Sequence, residues 1–349
     1  MKIAIDCRFI GKSGIGTFVE NVVDCMLRMH PGHEYLLIVN KDTKRDVFDG
    51  FYQVLKTDIA PFSVKELLRF PVELINKYDA YYTPYINIPM GIKISVYSTI
   101  HDMLFFDVDG LVSPLGKWMR RLYYKRAIGC SMKIFTVSEF SKERILQHFP
   151  TDKEMAVVYN GVSKNVRNYD FCGVKKNDYL LYVGNIKKHK GLQSLVEAYC
   201  LAQEKGLNSK LLIVGNKEKF RTADTELSGL VEANKNIMFT GWVPDDELVK
   251  LIAEAKCLIQ PSLYEGFGIP PLEALYLGTN VILSDIPVFK EVYSELPVTF
   301  FKPNDVNMLS ELLLRRETPN FDLDSVRNLI DSRYNYAEAA RVILNSITK

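Results

Sequence analysis

With 349 residues, 47% of them hydrophobic and 25% charged, the chain exceeds the length at which one hydrophobic core stops growing, and two domains are expected. Charge is nearly balanced, 44 Lys plus Arg against 42 Asp plus Glu, which removes the electrostatic argument for sequence-independent binding of nucleic acid, and no nucleic-acid partner is expected. Six scattered cysteines (Cys7, Cys25, Cys130, Cys172, Cys200 and Cys257) without CxxC spacing, no apolar h-region in MKIAIDCRFI and no run of roughly 18 apolar residues lead us to expect a cytoplasmic protein that spans no membrane.

Short apolar runs alternate with helical periodicity from end to end, which predicts an α/β protein with parallel sheets. In the first half, strands are expected at 2–6, 35–39, 79–82, 93–99, 133–137 and 155–159. The first of these runs into Gly11, Gly14, Ile15 and Gly16 and then into a helical pattern at 18–29, giving a strand, a glycine loop and a helix. Two nucleotide-binding readings of that loop fail on spacing: a P-loop needs glycine where Asp6 stands, and a dinucleotide fingerprint needs Gly or Ala where Val19 stands. His101 and Asp102 follow strand 93–99 at its carboxyl end, where an imidazole can reach a bound ligand. Asp107 and Asp109 form a DxD triplet, too short a match to carry a metal site, and His30 and His33 flank a Pro-Gly turn without further ligands; no metal is expected. Residues 114–128 place Leu115, Trp118, Met119, Leu122 and Tyr123 on one helical face, with Lys117, Arg120, Arg121 and Lys125 largely opposite. Either that apolar face packs on the core, or the helix meets an anionic membrane surface or a lipid-phosphate acceptor.

A polar stretch at 163–178 reads as the interdomain linker, with the boundary near residue 170. Strands are then expected at 179–183, 210–214, 237–239, 257–260, 281–284 and 298–300. Lys187, Lys188 and Lys190 follow the first of these and Gly184, again at a strand's carboxyl end, where a basic loop is either a ligand's counter-charge or merely solvated. The segment from Ser262 to Gly278 has a strand end, a glycine loop and a short helix, with Pro270 and Pro271 at the helix start and Gly278 suited to its C-terminal cap. Such a loop lets backbone N–H groups approach an anion at a helix N-terminus. Glu265 and Glu273 flank that place, and two carboxylates beside an anion repel it unless each accepts from a hydroxyl-rich partner such as a sugar. The plainer reading, a strand, turn and helix with Glu273 as a first-turn charge, leaves Glu265 without a packing role.

The run PSLYEGFGIPPLEAL resembles the signature of retaining GT-B glycosyltransferases of family 4, also called glycosyltransferase group 1, in which two glutamates are separated by seven residues as Glu265 and Glu273 are. The likeness extends through the N-terminal glycine loop, His101-Asp102, TVSEFSKE, VVYNGV, YVGNIKKHKGL, FTGWVPDDEL and SDIPVFKEV. It implies two doubly wound Rossmann-like domains facing across a cleft. Residues 1–170 would form an acceptor-side domain and 171–323 a nucleotide-sugar domain, with 324–349 a helical tail crossing back to the first.

By the same resemblance Glu265 contacts donor-sugar hydroxyls, and Gly266, Phe267, Gly268 and Ile269 offer backbone amides to sugar and phosphate. Glu273 holds the ribose hydroxyls, and Lys190 neutralises the diphosphate. Gly14, Ile15 and Gly16 lie over the donor phosphate and acceptor, and His101 lies beside the donor sugar. Asn185 stands where many family members carry an arginine, so one of two usual phosphate cations is absent. The chemistry implied is transfer of a sugar with retention, from a nucleotide sugar to a hydroxyl, without cofactor or metal. The form GNIKKHK is loosely similar to bacterial mannosyltransferases, which makes GDP-mannose the first donor to try. A saccharide or lipid-linked saccharide of surface polysaccharide synthesis is the implied acceptor, met by a protein that is cytoplasmic or peripheral at the inner face of the plasma membrane. The alternatives are a sugar-nucleotide epimerase of the same architecture and a non-catalytic nucleotide-sugar-binding subunit.

Overall fold

The computed structural model describes residues 1–43, 48–170, 173–215, 229, 231–315 and 321–349, so Cys172 and part of the expected linker lie outside the described residues. The chain divides into two compact units, Met1–Asn160 with Asn335–Lys349, and Gly161–Tyr334.

The first unit is built on a seven-stranded sheet in the order β3-β2-β1-β4-β5-β6-β7. Its strands are β1 (Lys2–Asp6), β2 (Glu34–Asn40), β3 (Gln53–Thr57), β4 (Ala80–Thr83), β5 (Ser95–Ile100), β6 (Ser131–Thr136) and β7 (Met155–Val157). Each neighbouring pair runs parallel. A parallel sheet is covered on both faces, which is why KIAID and EYLLIVN are nearly continuous apolar runs rather than alternating ones. The sequence pattern does not predict β3: among the described residues QVLKT pairs with β2 alone, at the sheet edge, and is half exposed, so it needs no apolar run. The helices are α1 (Ser13–Met29), α2 (Val64–Arg69), α3 (Val72–Ile75), α4 (Leu104–Asp107), α5 (Pro114–Cys130) and α6 (Glu139–His148).

The second unit has a six-stranded parallel sheet in the order β10-β9-β8-β11-β12-β13. Its strands are β8 (Tyr179–Val183), β9 (Lys210–Val214), β10 (Ile237–Gly241), β11 (Cys257–Gln260), β12 (Asn280–Ser284) and β13 (Thr299–Phe301). Helices α7 (Lys164–Arg167), α8 (Leu192–Glu204), α9 (Asp245–Glu254), α10 (Ile269–Tyr276), α11 (Pro287–Tyr293), α12 (Val306–Leu314) and α13 (Leu323–Arg333) belong to it. Both units are Rossmann-like.

The units divide after Asn160, ten residues before the expected boundary, because α7 in the expected linker is an element of the second unit with Val166 fully buried. The expected C-terminal tail is also split. Helix α13 stays with the second unit, where Arg327 Nε donates to the Tyr276 carbonyl at 2.9 Å and Tyr334 Oη to the Val292 carbonyl at 2.7 Å. Helix α14 (Tyr336–Ile347) packs on α1, burying Ala339, Ala340, Ile343, Leu344 and Ile347 against an α1 face that holds Phe18, Val19, Val22, Val23 and Met26. Among the described residues no helix is long and apolar enough to cross a membrane.

Strand order reverses once in each sheet. In the first unit the chain leaves β1 for β2 and β3 on one side, then returns to β4 on the other; in the second it leaves β8 for β9 and β10, then returns to β11. Ligands of such sheets bind in the crevice outside the carboxyl ends of the two strands that flank the reversal.

Candidate active site

In the second unit those flanking strands are β8 and β11. The loop after β8 runs from Gly184 through Asn185 to a 3₁₀ turn at Lys188–Lys190, then turns sharply at Gly191 into α8. Gly191 has φ +66°, and a Cβ there would overlap the Pro261 carbonyl oxygen of the loop after β11, so both its conformation and its closeness demand glycine. The Leu263 amide donates to the His189 carbonyl at 2.8 Å. These contacts lay the two loops side by side.

Their adjacency sets the central ion pair. Lys190 Nζ lies 2.7 and 2.6 Å from the two oxygens of Glu265. Ser262 Oγ donates to Glu265 Oε1 at 2.8 Å, and Gln260 Nε2 donates to Ser262 Oγ at 3.1 Å. The pair is neither sunk nor loose: the side chains keep 20% and 11% of their exposure, so they are accessible to a ligand yet fixed by neighbours. An ammonium has three donors and Glu265 takes two. His189, between the two loops, is buried, and burial followed by the neighbouring Lys190 charge lowers its pKa to about 4. It adds no positive charge near neutral pH.

The loop after β11 then enters α10. Gly268, with φ +93°, is pressed against the Phe289 ring, where a Cβ would clash, and its carbonyl accepts from Tyr293 Oη. Phe267 is buried with its ring edge to Tyr334. Pro270 and Pro271 bring no N–H to the first turn, which leaves the amides of Gly268 at the N-cap and Ile269 at the helix start, with Gly266 and Phe267 in the loop before it. Glu273 sits one turn further on and is buried, and its Oε1 accepts from the Ser163 amide at 3.4 Å. Burial raises its pKa to about 7, against the hydrogen bonds from Ser163. Gly278 has φ +70° and its amide caps the Leu275 carbonyl, as expected for a helix stop.

Asn185 is exposed, and so are Lys187 and Lys188. The structure therefore brings Lys190, Glu265, Glu273 and the 266–269 amides to one end of the second sheet. Gly14, Ile15, Gly16 and His101 belong to the first unit.

In the first unit Gly14 is exposed and Ile15 half-buried at the start of α1, while Gly16 is buried against the Phe9 carbonyl oxygen, which a Cβ would overlap. His101 follows β5. Its Nε2 lies 2.8 Å from the Pro84 carbonyl, its ring meets Phe18 edge-on at 5.0 Å, and burial lowers its pKa to about 4. A ring nitrogen bonded to a carbonyl must carry the hydrogen, so His101 is neutral with Nδ1 as the acceptor. The DxD triplet is used up locally: Asp107 pairs with Arg144 and with His148 Nε2 at 2.6 Å, and Asp109 with Lys117 at 3.3 Å. Among the described residues no cluster of three or more His, Cys, Asp or Glu could hold a metal ion.

Two residues of the site escaped the sequence reading. Ser262 and Gln260 orient Glu265, and only the strand end preceding the glycine loop hinted at them. Helix α5 divides its apolar face between the two readings: Tyr123 packs against the core beside the buried Tyr124, Ala127 and Ile128, whereas Leu115, Trp118, Met119 and Leu122 are exposed.

Comparison with known proteins agrees with this architecture. O-antigen chain mannosyltransferase RfbU of Salmonella typhimurium is 28% identical over 254 residues, 71% of this chain and 67% of that protein. O-antigen chain mannosyltransferase B of Escherichia coli is 27% identical over 253 residues, 67% of this chain and 64% of that protein, so the chain matches about two thirds of each relative's length. Among solved structures, Anabaena Alr3699/HepE in complex with UDP and glucose shares the fold, with TM-score 0.76 at 17% identity over 100% of this chain and 99% of that one. Residues 12–165 match Glycosyltransferase Family 4 and residues 173–328 match Glycosyl transferases group 1, and on these matches the chain belongs to the group 1, family 4 glycosyltransferases.

Proposed function

We propose that the protein transfers a hexose with retention of configuration from a nucleotide diphosphate sugar, first GDP-mannose, to a hydroxyl of a saccharide or lipid-linked saccharide in surface polysaccharide synthesis. The observation that carries this is the Lys190–Glu265 pair beside the amide-lined start of α10, set where the second sheet reverses its strand order. The names of the relatives support mannose and O-antigen-like products. HepE, solved with UDP and glucose, supports a nucleotide-sugar donor.

Breaking the bond between the anomeric carbon and the phosphate oxygen leaves positive charge on the sugar ring and negative charge on the diphosphate. Lys190 and the 266–269 amides hold the developing diphosphate charge by preorganised electrostatics, a role that calls for no metal ion. Glu265 accepts from sugar hydroxyls, and Glu273 from the ribose hydroxyls. The acceptor oxygen attacks the face the phosphate leaves, and its proton passes to the departing phosphate oxygen, so the configuration is kept. His101, neutral and fixed by Pro84, orients the sugar rather than acting as the base. The protein works on the cytoplasmic side, peripheral to the inner face of the plasma membrane.

Thermal unfolding with GDP-, UDP-, ADP- and dTDP-sugars in EDTA tests the reading, since a ligand that binds only the folded state raises the melting temperature. Stabilisation by one nucleotide series, lost in Lys190→Ala and Glu273→Ala, is expected, followed by transfer whose product keeps the donor's anomeric configuration by NMR. Isomerisation of the donor without acceptor would make the protein an epimerase. Binding without turnover would make it a sensor or assembly subunit.

A further inference from the structure

Helix α5 is oriented in an unusual way for the surface helix of a globular unit. Leu115, Trp118, Met119 and Leu122 recur at the spacing of one helical face and are 67%, 58%, 39% and 48% exposed. The packed side holds Tyr124, Ala127 and Ile128, so the larger apolar stripe points away from the sheet. The same helix carries Lys117, Arg120, Arg121, Lys125 and Arg126 and no acidic residue. Arg126 donates to the carbonyls of Ile88 at 2.8 Å and Pro89 at 2.9 Å, and the next residue, Met90, donates its amide to the Leu67 carbonyl of α2 at 2.9 Å. Met90 and Leu68, 51% and 66% exposed, extend the apolar surface, and Lys65 and Arg69 on α2 are exposed beside them. Exposed apolar patches rimmed by charge mark contact surfaces.

We propose that this face, α5 with the 88–90 loop and α2, seats the protein on an anionic phospholipid bilayer. Leu115, Trp118, Met119 and Leu122 would enter the boundary between headgroups and acyl chains, and Arg121 and Lys125, both exposed, would meet lipid phosphates. The helix carries no acidic residue, and its exposed cations Arg121 and Lys125, with Lys65 and Arg69 of α2, oppose pairing with a second copy of the same face and favour a negatively charged sheet of lipid. Given the lipid-linked acceptor proposed above, on which the biological sense of this docking rests, the contact holds the enzyme at the surface where that acceptor lies.

The test uses the full chain with Trp242→Phe, which leaves Trp118 as its one tryptophan. It is titrated with vesicles of phosphatidylcholine with or without about 30% phosphatidylglycerol, at low and high salt. Trp118 emission should shift to the blue and be quenched by acyl-brominated lipid only with the anionic vesicles. Leu115→Ser/Met119→Ser/Leu122→Ser should weaken vesicle binding by at least about tenfold with an unchanged melting temperature, and Arg121→Gln/Lys125→Gln should flatten the salt dependence. No anionic-vesicle binding, or binding untouched by the triple substitution, overturns the proposal. So does a dimer in sedimentation velocity that the triple substitution dissolves, since the stripe would then be an interface between copies. Donor-induced stabilisation, measured without lipid on the same variants, separates the two readings: its absence in the wild type sinks the transferase reading alone, and its persistence beside lost vesicle binding confines the defect to docking.

Discussion

The two sheets reverse their strand order in the same way but treat charge at the reversal differently. Between β1 and β4 the first unit holds a closed cluster: Arg8, fully buried, pairs with Asp6 at 2.6 Å and with Glu66, and donates to Tyr85 Oη at 2.7 Å and to the Ile59 carbonyl at 3.0 Å. Its guanidinium also lies over the Phe70 ring at 4.4 Å. Each guanidinium nitrogen of Arg8 donates to an atom of this unit. Between β8 and β11 the second unit keeps Lys190 and Glu265 partly open, with the carboxylate held by Ser262. Equivalent positions in one architecture thus serve two ends. Fully buried charge at the first reversal fixes the chain, whereas charge that keeps some exposure at the second can exchange its partner for a ligand.

The contrast predicts opposite phenotypes, with the largest effect on the closed side. Arg8→Ala strands two buried carboxylates and should cost about 3–5 kcal/mol of stability. Arg8→Lys should recover only part, because an ammonium cannot fork between Asp6 and Glu66. Urea denaturation reads both, and a loss below about 1 kcal/mol would show that the cluster is not a closed ionic core.

Lys190→Ala should lower kcat by roughly 10² to 10³ and cost less stability than Arg8→Ala, since Glu265 keeps the Ser262 donor and some access to water. An equal loss of stability and activity would erase the contrast between the units. The comparison is best made at saturating donor, with the nucleotide series identified by melting.

Glu273 offers a pH signature. Its folded pKa, about 7, lies above the ordinary carboxylate value of 4.5. The protonated form therefore favours the folded state, and that contribution, on the order of 3 kcal/mol, is present below 4.5 and is lost as pH rises toward 7. Donor binding runs the other way, because only the ionised carboxylate accepts from both ribose hydroxyls. The donor Kd should tighten about tenfold between pH 6 and 8, and titration calorimetry of Glu273→Gln should show a flat profile.

The smallest effect is assigned to His101. Its pKa of about 4 lies below the usual 6.5, so the stability its neutral form contributes is present above 6.5 and is lost as pH falls toward 4. His101→Gln keeps a donor for the Pro84 carbonyl and should slow turnover by no more than about tenfold, with no new inflection between pH 6 and 8; a loss beyond about 10² would identify a proton-transferring residue instead.

Much of the fold was legible because its signals are local. Alternating strand and helix periods announced parallel sheets, and PSLYEGFGIPPLEAL announced its own turn and helix through glycines, prolines and the Gly278 stop. Lys190 was legible from its position after β8, as was Glu265 from the Gly-Phe-Gly loop that follows it. Edge strand β3 escaped because half-exposed strands need no apolar run, and the division after Asn160 escaped because α7, a single turn, has no period to read.

The amino-acid sequence by itself determined element types, turn residues and the chemical character of each loop, since these follow from backbone preference and spacing within a few residues. Tertiary structure alone decided that Lys190 meets Glu265, 75 residues away, that Arg8 reaches Glu66 across 58, and that the apolar stripe of α5 faces outward. Helical periodicity defines a stripe but not the side on which the sheet lies, and contacts between distant residues exist only once strand order has been fixed by packing.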